Sequence, residues 1–127
     1  MVQFRFAKLV MLAAFALAPL AAAAEPVAIT LRNNGEVVRM ARAQTLVVNL
    51  PVDRSLEQSW AISVPPSAPL SLVADSLDAQ EAGGVALQRL EFAPTGAGRG
   101  KLALSVVEPF TRGRGQRLFY EVTVEVK

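Results

Sequence analysis

The 127-residue chain contains neither histidine nor cysteine. This removes the usual general base, the thiol nucleophile, the ordinary transition-metal ligands and any cysteine-borne disulfide or lipid anchor. Basic residues number 13 against 11 acidic, but Arg5 and Lys8 belong to a leader-like N-terminus. Without them the charges balance, so the nominal pI of 9.5 does not point to nucleic acid or an anionic membrane.

Arg5 and Lys8 precede an apolar run from Leu9 to Leu20, and Ala21-Ala22-Ala23-Ala24 follows with an A-x-A site before Glu25. A positive, apolar, small-residue sequence has the layout of a secretory signal peptide. The run is short for a membrane span. The expectation is a leader over 1–24, export to the periplasm or beyond, and a mature domain from 25 to 127 with no stable membrane anchor. That domain is long enough to bury a core without disulfides.

From Glu25 onward the pattern is one of short strands. Val27, Ile29 and Leu31 alternate, and Asn33-Asn34-Gly35 predicts a hairpin turn. Strands follow over 36–42 and 44–50, with Val38, Met40, Leu46, Val48 and Leu50 facing inward, and Pro51 ends the second. A polar connection over 52–57 leads to a strand over 58–64, where Trp60, Ile62 and Val64 share a face.

Pro65-Pro66-Ser67-Ala68-Pro69 is a rigid link, because proline has no N–H for a ladder. Leu70, Leu72 and Ala74 mark the inward face of the next strand, and a polar connection over 78–84 ends in Gly83-Gly84. In the strand over 85–93 the alternation slips, Val85 and Leu87 against Leu90 and Phe92, which predicts a bulge near Gln88-Arg89. After a glycine-rich turn over 94–100, two alternating strands flank the loop Glu108-Pro109-Phe110-Thr111-Arg112-Gly113-Arg114-Gly115.

Seven to eight short, evenly spaced strands without a helical period predict an all-β, immunoglobulin-like antiparallel sandwich. If every strand crosses the sandwich once, alternate connections lie at one end. The connections at 51–57, 78–84 and 109–116 are the third, fifth and seventh, so the three share an end and form a recognition surface. Phe110, after a proline at a loop tip, is the leading contact residue. Trp60 at the start of an inward-facing strand is foremost a core residue.

Catalysis has little to work with. The serines have no histidine, and a Ser–Lys pair would need Lys101 or Lys127 in unsuggestive surroundings. Asp75, Asp78 and Glu81 could ligate calcium through oxygen, but their spacing matches no known calcium loop and reads as a solvated acidic stretch. No phosphate-binding glycine loop opens a helix. A non-enzyme without metal or cofactor is expected.

The order of features, from Val27 to Val126, resembles the chagasin-type inhibitors of papain-family cysteine proteases. The family's first loop, Asn-Pro-Thr-Thr-Gly-aromatic-x-Trp, aligns with Asp53-Arg54-Ser55-Leu56-Glu57-Gln58-Ser59-Trp60. Trp60 agrees and Ser55 is a near match. Its second loop, Gly-x-Gly-Gly, aligns with Glu81-Ala82-Gly83-Gly84. Its third, Arg-Pro-Trp, aligns with Glu108-Pro109-Phe110, with the charge reversed. The resemblance implies an uncleaved wedge that blocks a protease cleft: Asp53, Arg54, Ser55, Leu56 and Glu57 over its centre, Ala82, Gly83, Gly84 and Glu108, Pro109, Phe110 at its sides, and Trp60 as support. It implies a papain-like protease as partner; the balanced charge gives no reason to expect nucleic acid, and a monomer is expected. The alternative is an exported immunoglobulin-like binding or assembly module that keeps the scaffold but does not inhibit proteases.

Overall fold

The computed structural model describes residues 24–82, 84–109 and 118–127, with side chains throughout except at 79–82. The predicted leader, apart from Ala24, lies outside the described residues. The described residues form eight strands: β1 Val27–Thr30, β2 Val37–Met40, β3 Leu46–Asp53, β4 Ser59–Ile62, β5 Leu70–Ala82, β6 Val85–Pro94, β7 Gly98–Val107 and β8 Phe119–Val126. They form two four-stranded sheets, ordered β1-β3-β6-β5 and β2-β8-β7-β4. The all-β sandwich expected from the alternation is what forms. The alternating residues Leu46, Val48, Leu50, Leu102, Leu104, Tyr120, Val122 and Val124 fill the space between the sheets.

The sheets are mixed rather than purely antiparallel, since β1 pairs with β3 and β2 with β8 in parallel. This follows from the chain reversing at each connection: strands of like parity run the same way, so β1 beside β3 and β2 beside β8 must be parallel. The Asn33-Asn34-Gly35 turn therefore does not close a hairpin. Leu31–Asn33 form a 3-10 turn, with Thr30 N–H donating to Asn33 Oδ1 at 2.8 Å, and this carries the chain to the other sheet. There Asn34 Oδ1 accepts from Glu121 N–H at 2.9 Å and Gly35 N–H donates to the Glu121 carbonyl at 2.7 Å. The Asn-Gly pair thus extends the edge of β8 instead of reversing onto β1.

Strand β6 contains no bulge. It pairs with β3 without interruption from Asp53↔Val85 to Leu46↔Phe92, placing Ala86, Gln88, Leu90 and Phe92 inward and Val85 and Leu87 outward. What looks like a slip in the alternation is a polar residue on the core face. The irregularities lie in β5, whose register with β6 shifts between Asp78 and Ala82 and, nearer its start, between Leu72 and Ala74. The latter shift turns Ala74 outward, opposite Glu91, and brings Asp75 opposite Leu90 on the core side. Leu72, expected inside, stays 40% exposed at this edge.

Gln88 is buried and joins the two sheets. Its Oε1 accepts from Trp60 N–H at 2.7 Å. Its Nε2 donates to the Trp60 carbonyl at 3.0 Å and to Asp75 Oδ1 at 3.0 Å. Strand β4 is the edge of its sheet, and Trp60 lies opposite Val106, whose own N–H is given to Leu118 on the far side. The Trp60 backbone therefore faces away from β7, and the Gln88 carboxamide supplies the donor and acceptor that a neighbouring strand would. Buried polar groups persist only when so paired.

The Trp60 ring packs edge-on against Tyr120, with centroids 6.3 Å apart at 74°, a favoured aromatic arrangement. The Tyr120 hydroxyl donates to the Thr30 carbonyl at 2.9 Å. Burial, reinforced by the Glu36 carboxylate, pushes this phenol from 10.0 up to about 12. On the outer face of the second sheet, Glu125 bridges Arg99 and Arg39, each at 3.0 Å. The Arg99 hydrogen bond chiefly, then Arg39, holds its carboxyl below the usual range.

Gln88→Leu leaves the Trp60 N–H and carbonyl without partners, and urea denaturation should show a loss of about 2–4 kcal/mol. For Tyr120, the unfolded chain releases its proton at 10.0 while the folded chain holds it to about 12. Its contribution is complete below that interval and is lost as pH rises through it. Urea midpoints compared across that alkaline interval should fall more for the parent than for Tyr120→Phe; equal falls would contradict the assignment.

Candidate functional site

One end of the sandwich carries the connections β3–β4, β5–β6 and β7–β8, as the count of reversals predicts. The first begins at Asp53, whose Oδ1 accepts from Ser55 N–H at 2.9 Å and from the Ser55 hydroxyl. An Asp side chain capping the first amides starts a short helical turn, here the 3-10 turn Arg54–Leu56. Glu57 N–H closes it on the Arg54 carbonyl at 3.1 Å. Glu57 itself has φ +55 and ψ +38, and among the described residues it alone of the non-glycines has positive φ. The side chains of Arg54, Ser55, Leu56 and Glu57 are exposed.

The loop is anchored by the strand that leaves it. Strand β3 runs through Pro51 to Asp53 rather than stopping at the proline. Arg54 N–H donates to the Gly84 carbonyl at 2.8 Å, continuing the β3–β6 ladder, and the two-residue period of that ladder puts Pro51 and Asp53 at positions whose backbone faces away from β6. On that side β1 has already ended, its last pair being Thr30↔Asn49. The missing N–H of Pro51 therefore costs no ladder bond. Its carbonyl accepts from Trp60 Nε1 at 2.9 Å. Asp53 N–H donates to Gln58 Oε1 at 2.8 Å, and Gln58 N–H to the Asp53 carbonyl at 3.2 Å. Trp60 and Gln58 thus satisfy the stretch of β3 that no strand covers.

The second connection is tighter than the polar run over 78–84 suggests. Strand β5 continues to Ala82, which pairs with Val85, so only Gly83 and Gly84 lie between the strands. Gly84 has φ +84, a conformation open to glycine at little cost. The third connection leaves β7 at Glu108 and Pro109, and the Glu108 carboxylate accepts from Gln58 Nε2. The three connections are therefore hydrogen-bonded to one another: first to second through Arg54 and Gly84, first to third through Gln58 and Glu108.

Asp53, Arg54, Ser55, Leu56, Glu57, Gly84, Glu108 and Pro109 are brought together at this end, with Ala82 at the base of the second connection. Gly83 and Phe110, together with Arg112, Arg114 and Arg117, lie outside the described residues. Trp60 is 2% exposed; it supports the first loop from within and offers no surface. Around the polar centre stand exposed apolar residues, Leu56, Val85, Val107, Leu118 and Phe119. Asp75, opposite Leu90, and Asp78, opposite Leu87, lie on opposite faces of β5, both exposed, and the Glu81 side chain lies outside the described residues. No group of potential metal ligands occurs among the described residues.

Sequence reasoning missed Gln58 and Gln88. Gln88 leaves a trace in the broken alternation of β6, a polar residue where an apolar one belongs. Gln58 leaves none, because its role depends on where β1 ends.

No protein-family model matches the chain, and no curated protein does. Solved structures do. The cysteine protease inhibitor EhICP2 from Entamoeba histolytica superposes with a TM-score of 0.69 at 16% identity, covering 81% of this chain and 96% of the inhibitor. Amebosin gives 0.59 at 19% identity, covering 80% and 98%. PbICP-C, in its complex with falcipain-2, gives 0.57 at 16% identity, covering 80% and 99%.

The fold is that of the chagasin-type inhibitors. Glu57 stands where the chagasin first-loop pattern has glycine, and its backbone is left-handed. Glycine adopts that conformation freely, whereas a residue with a Cβ does not. A left-handed conformation costs a side-chain-bearing residue about 1–2 kcal/mol, partly offset by the extra freedom that glycine adds to the unfolded chain. Glu57→Gly should therefore raise stability by about 0.5–1 kcal/mol, read as a higher urea midpoint with unchanged slope.

Proposed function

We propose that this chain is an exported inhibitor of papain-family cysteine proteases that occupies the active-site cleft with its three-loop end. The observation that carries the reading is the hydrogen-bonded union of the three loops at one end of a chagasin fold. PbICP-C, of the same fold, forms a complex with falcipain-2, a papain-family protease. Leu56, 47% exposed at the tip of the first loop, would enter the centre of the cleft. Gly84 would bring backbone close on one side, with Pro109 and Phe110 on the other. A loop held by its own side-chain caps loses little freedom on binding, which favours affinity over a floppy segment of equal area. The chain has no histidine or cysteine to offer the protease's chemistry, and the reading is one of inhibition by occlusion.

Export rests on the leader pattern of residues 1–24, and N-terminal sequencing of protein recovered from the periplasm or medium should begin near Glu25. Mature protein titrated against papain should inhibit it at or below micromolar concentration without being cleaved. Leu56→Ala should weaken inhibition roughly fivefold to twentyfold, corresponding to the loss of about 1–2 kcal/mol of apolar burial. Phe110→Ala should weaken it by at least severalfold. A folded mature protein that leaves papain-like proteases untouched would favour the alternative, a binding or assembly module on the same scaffold.

A further inference from the structure

Two of the positions at which this chain departs from the chagasin loop patterns are in contact with each other. Gln58 stands where the pattern has an aromatic residue, and Glu108 where it has arginine. We propose that they are a coupled pair of positioning residues that presets the first and third loops for the protease cleft, a role that rests on the inhibitor reading above.

Gln58 uses both ends of its carboxamide. Its Oε1 accepts from Asp53 N–H at 2.8 Å at the root of the first loop, and its Nε2 donates to the Glu108 carboxylate just before Pro109. Its backbone N–H is also given to Asp53, so the side chain is fixed before it reaches across. A hydrogen bond to a carboxylate is among the stronger neutral-to-charged contacts, and this one is partly buried. It links segments 50 residues apart in sequence, at the position one step beyond the Ser59↔Val107 pair that ends the β4–β7 ladder. The two replacements are matched chemically: an amide that can donate meets a carboxylate that can only accept. Either one alone would break the match.

The test exploits that asymmetry. Gln58→Glu keeps the acceptor for Asp53 N–H but sets two carboxylates against each other, and adding Glu108→Gln restores one donor and one acceptor in the reverse order. Association with papain should slow, and inhibition weaken, about tenfold for Gln58→Glu, with recovery to within about threefold of the parent in the double variant. A double variant no better than Gln58→Glu overturns the pairing. A purely structural contribution would instead move the urea midpoint while leaving the association rate of the folded protein unchanged, and that result also overturns it. Hydrogen exchange of the residue-58 amide in the free protein separates this proposal from the inhibitor reading. Exchange should quicken about tenfold in Gln58→Glu and recover in the double variant, whether or not papain is inhibited. Unchanged exchange in Gln58→Glu refutes the pair, whereas failure of the parent to inhibit papain refutes the function alone.

Discussion

The structure depends on one carboxamide. Gln88 projects from the centre of one sheet into the apolar space and takes both backbone groups of Trp60 on the edge of the other. An edge strand of four residues has little hold on its sheet, and its outward-facing N–H and carbonyl would otherwise meet a dry interior or an open cleft. By acting as a short length of neighbouring strand, Gln88 fixes the position of β4 and with it the indole ring. The ring then packs on Tyr120 and donates to Pro51, so the same clasp reaches the end of β3. Asp75, turned inward by the irregularity in β5, completes the glutamine's hydrogen bonding. A buried polar group of this kind raises specificity because any other register would leave it unpaired.

From that clasp the loop end follows. Strand β3 outruns β1 by four residues, from Asn49 to Asp53, and the backbone exposed there is taken up by Trp60 and Gln58. The first loop is consequently a continuation of the core with its caps built in, rather than a flexible excursion between strands. Its neighbours are tied to it by one backbone bond to Gly84 and one side-chain bond to Glu108. Polar bonds hold the frame while Leu56, Val85, Val107 and Phe119 remain exposed around it. That division places apolar area at the rim and fixed geometry in the polar centre. It also accommodates a first loop in which most of the family's residues have been exchanged. Asp53 caps the turn, Glu57 bears the left-handed backbone, and Trp60 is unchanged.

Much of this was legible in the chain. Alternation in β3, β7 and β8 marked residues that are indeed buried, because a strand with one wet face must repeat every two residues. Counting reversals placed three loops at one end without knowledge of any pairing, since it needs only that each strand crosses once. The order Pro51, Trp60, Gly83-Gly84, Pro109 was enough to suggest the chagasin fold. What misled were signals whose meaning depends on neighbours. Asn34-Gly35 has the composition of a hairpin turn but crosses between sheets. Pro51 has the composition of a strand end but sits where β1 no longer covers it.

The sequence alone therefore determined the class of fold, the core faces of the long strands and the end at which the loops gather, all consequences of local period and parity. Only the tertiary structure decided which edges are left uncovered and what covers them. Gln88 looked like a bulge and is the clasp; Gln58 looked like nothing and joins two loops. The physical reason is that an orphan N–H or carbonyl arises from the ending of one strand beside another. That mismatch in length belongs to the pair and is written in neither segment.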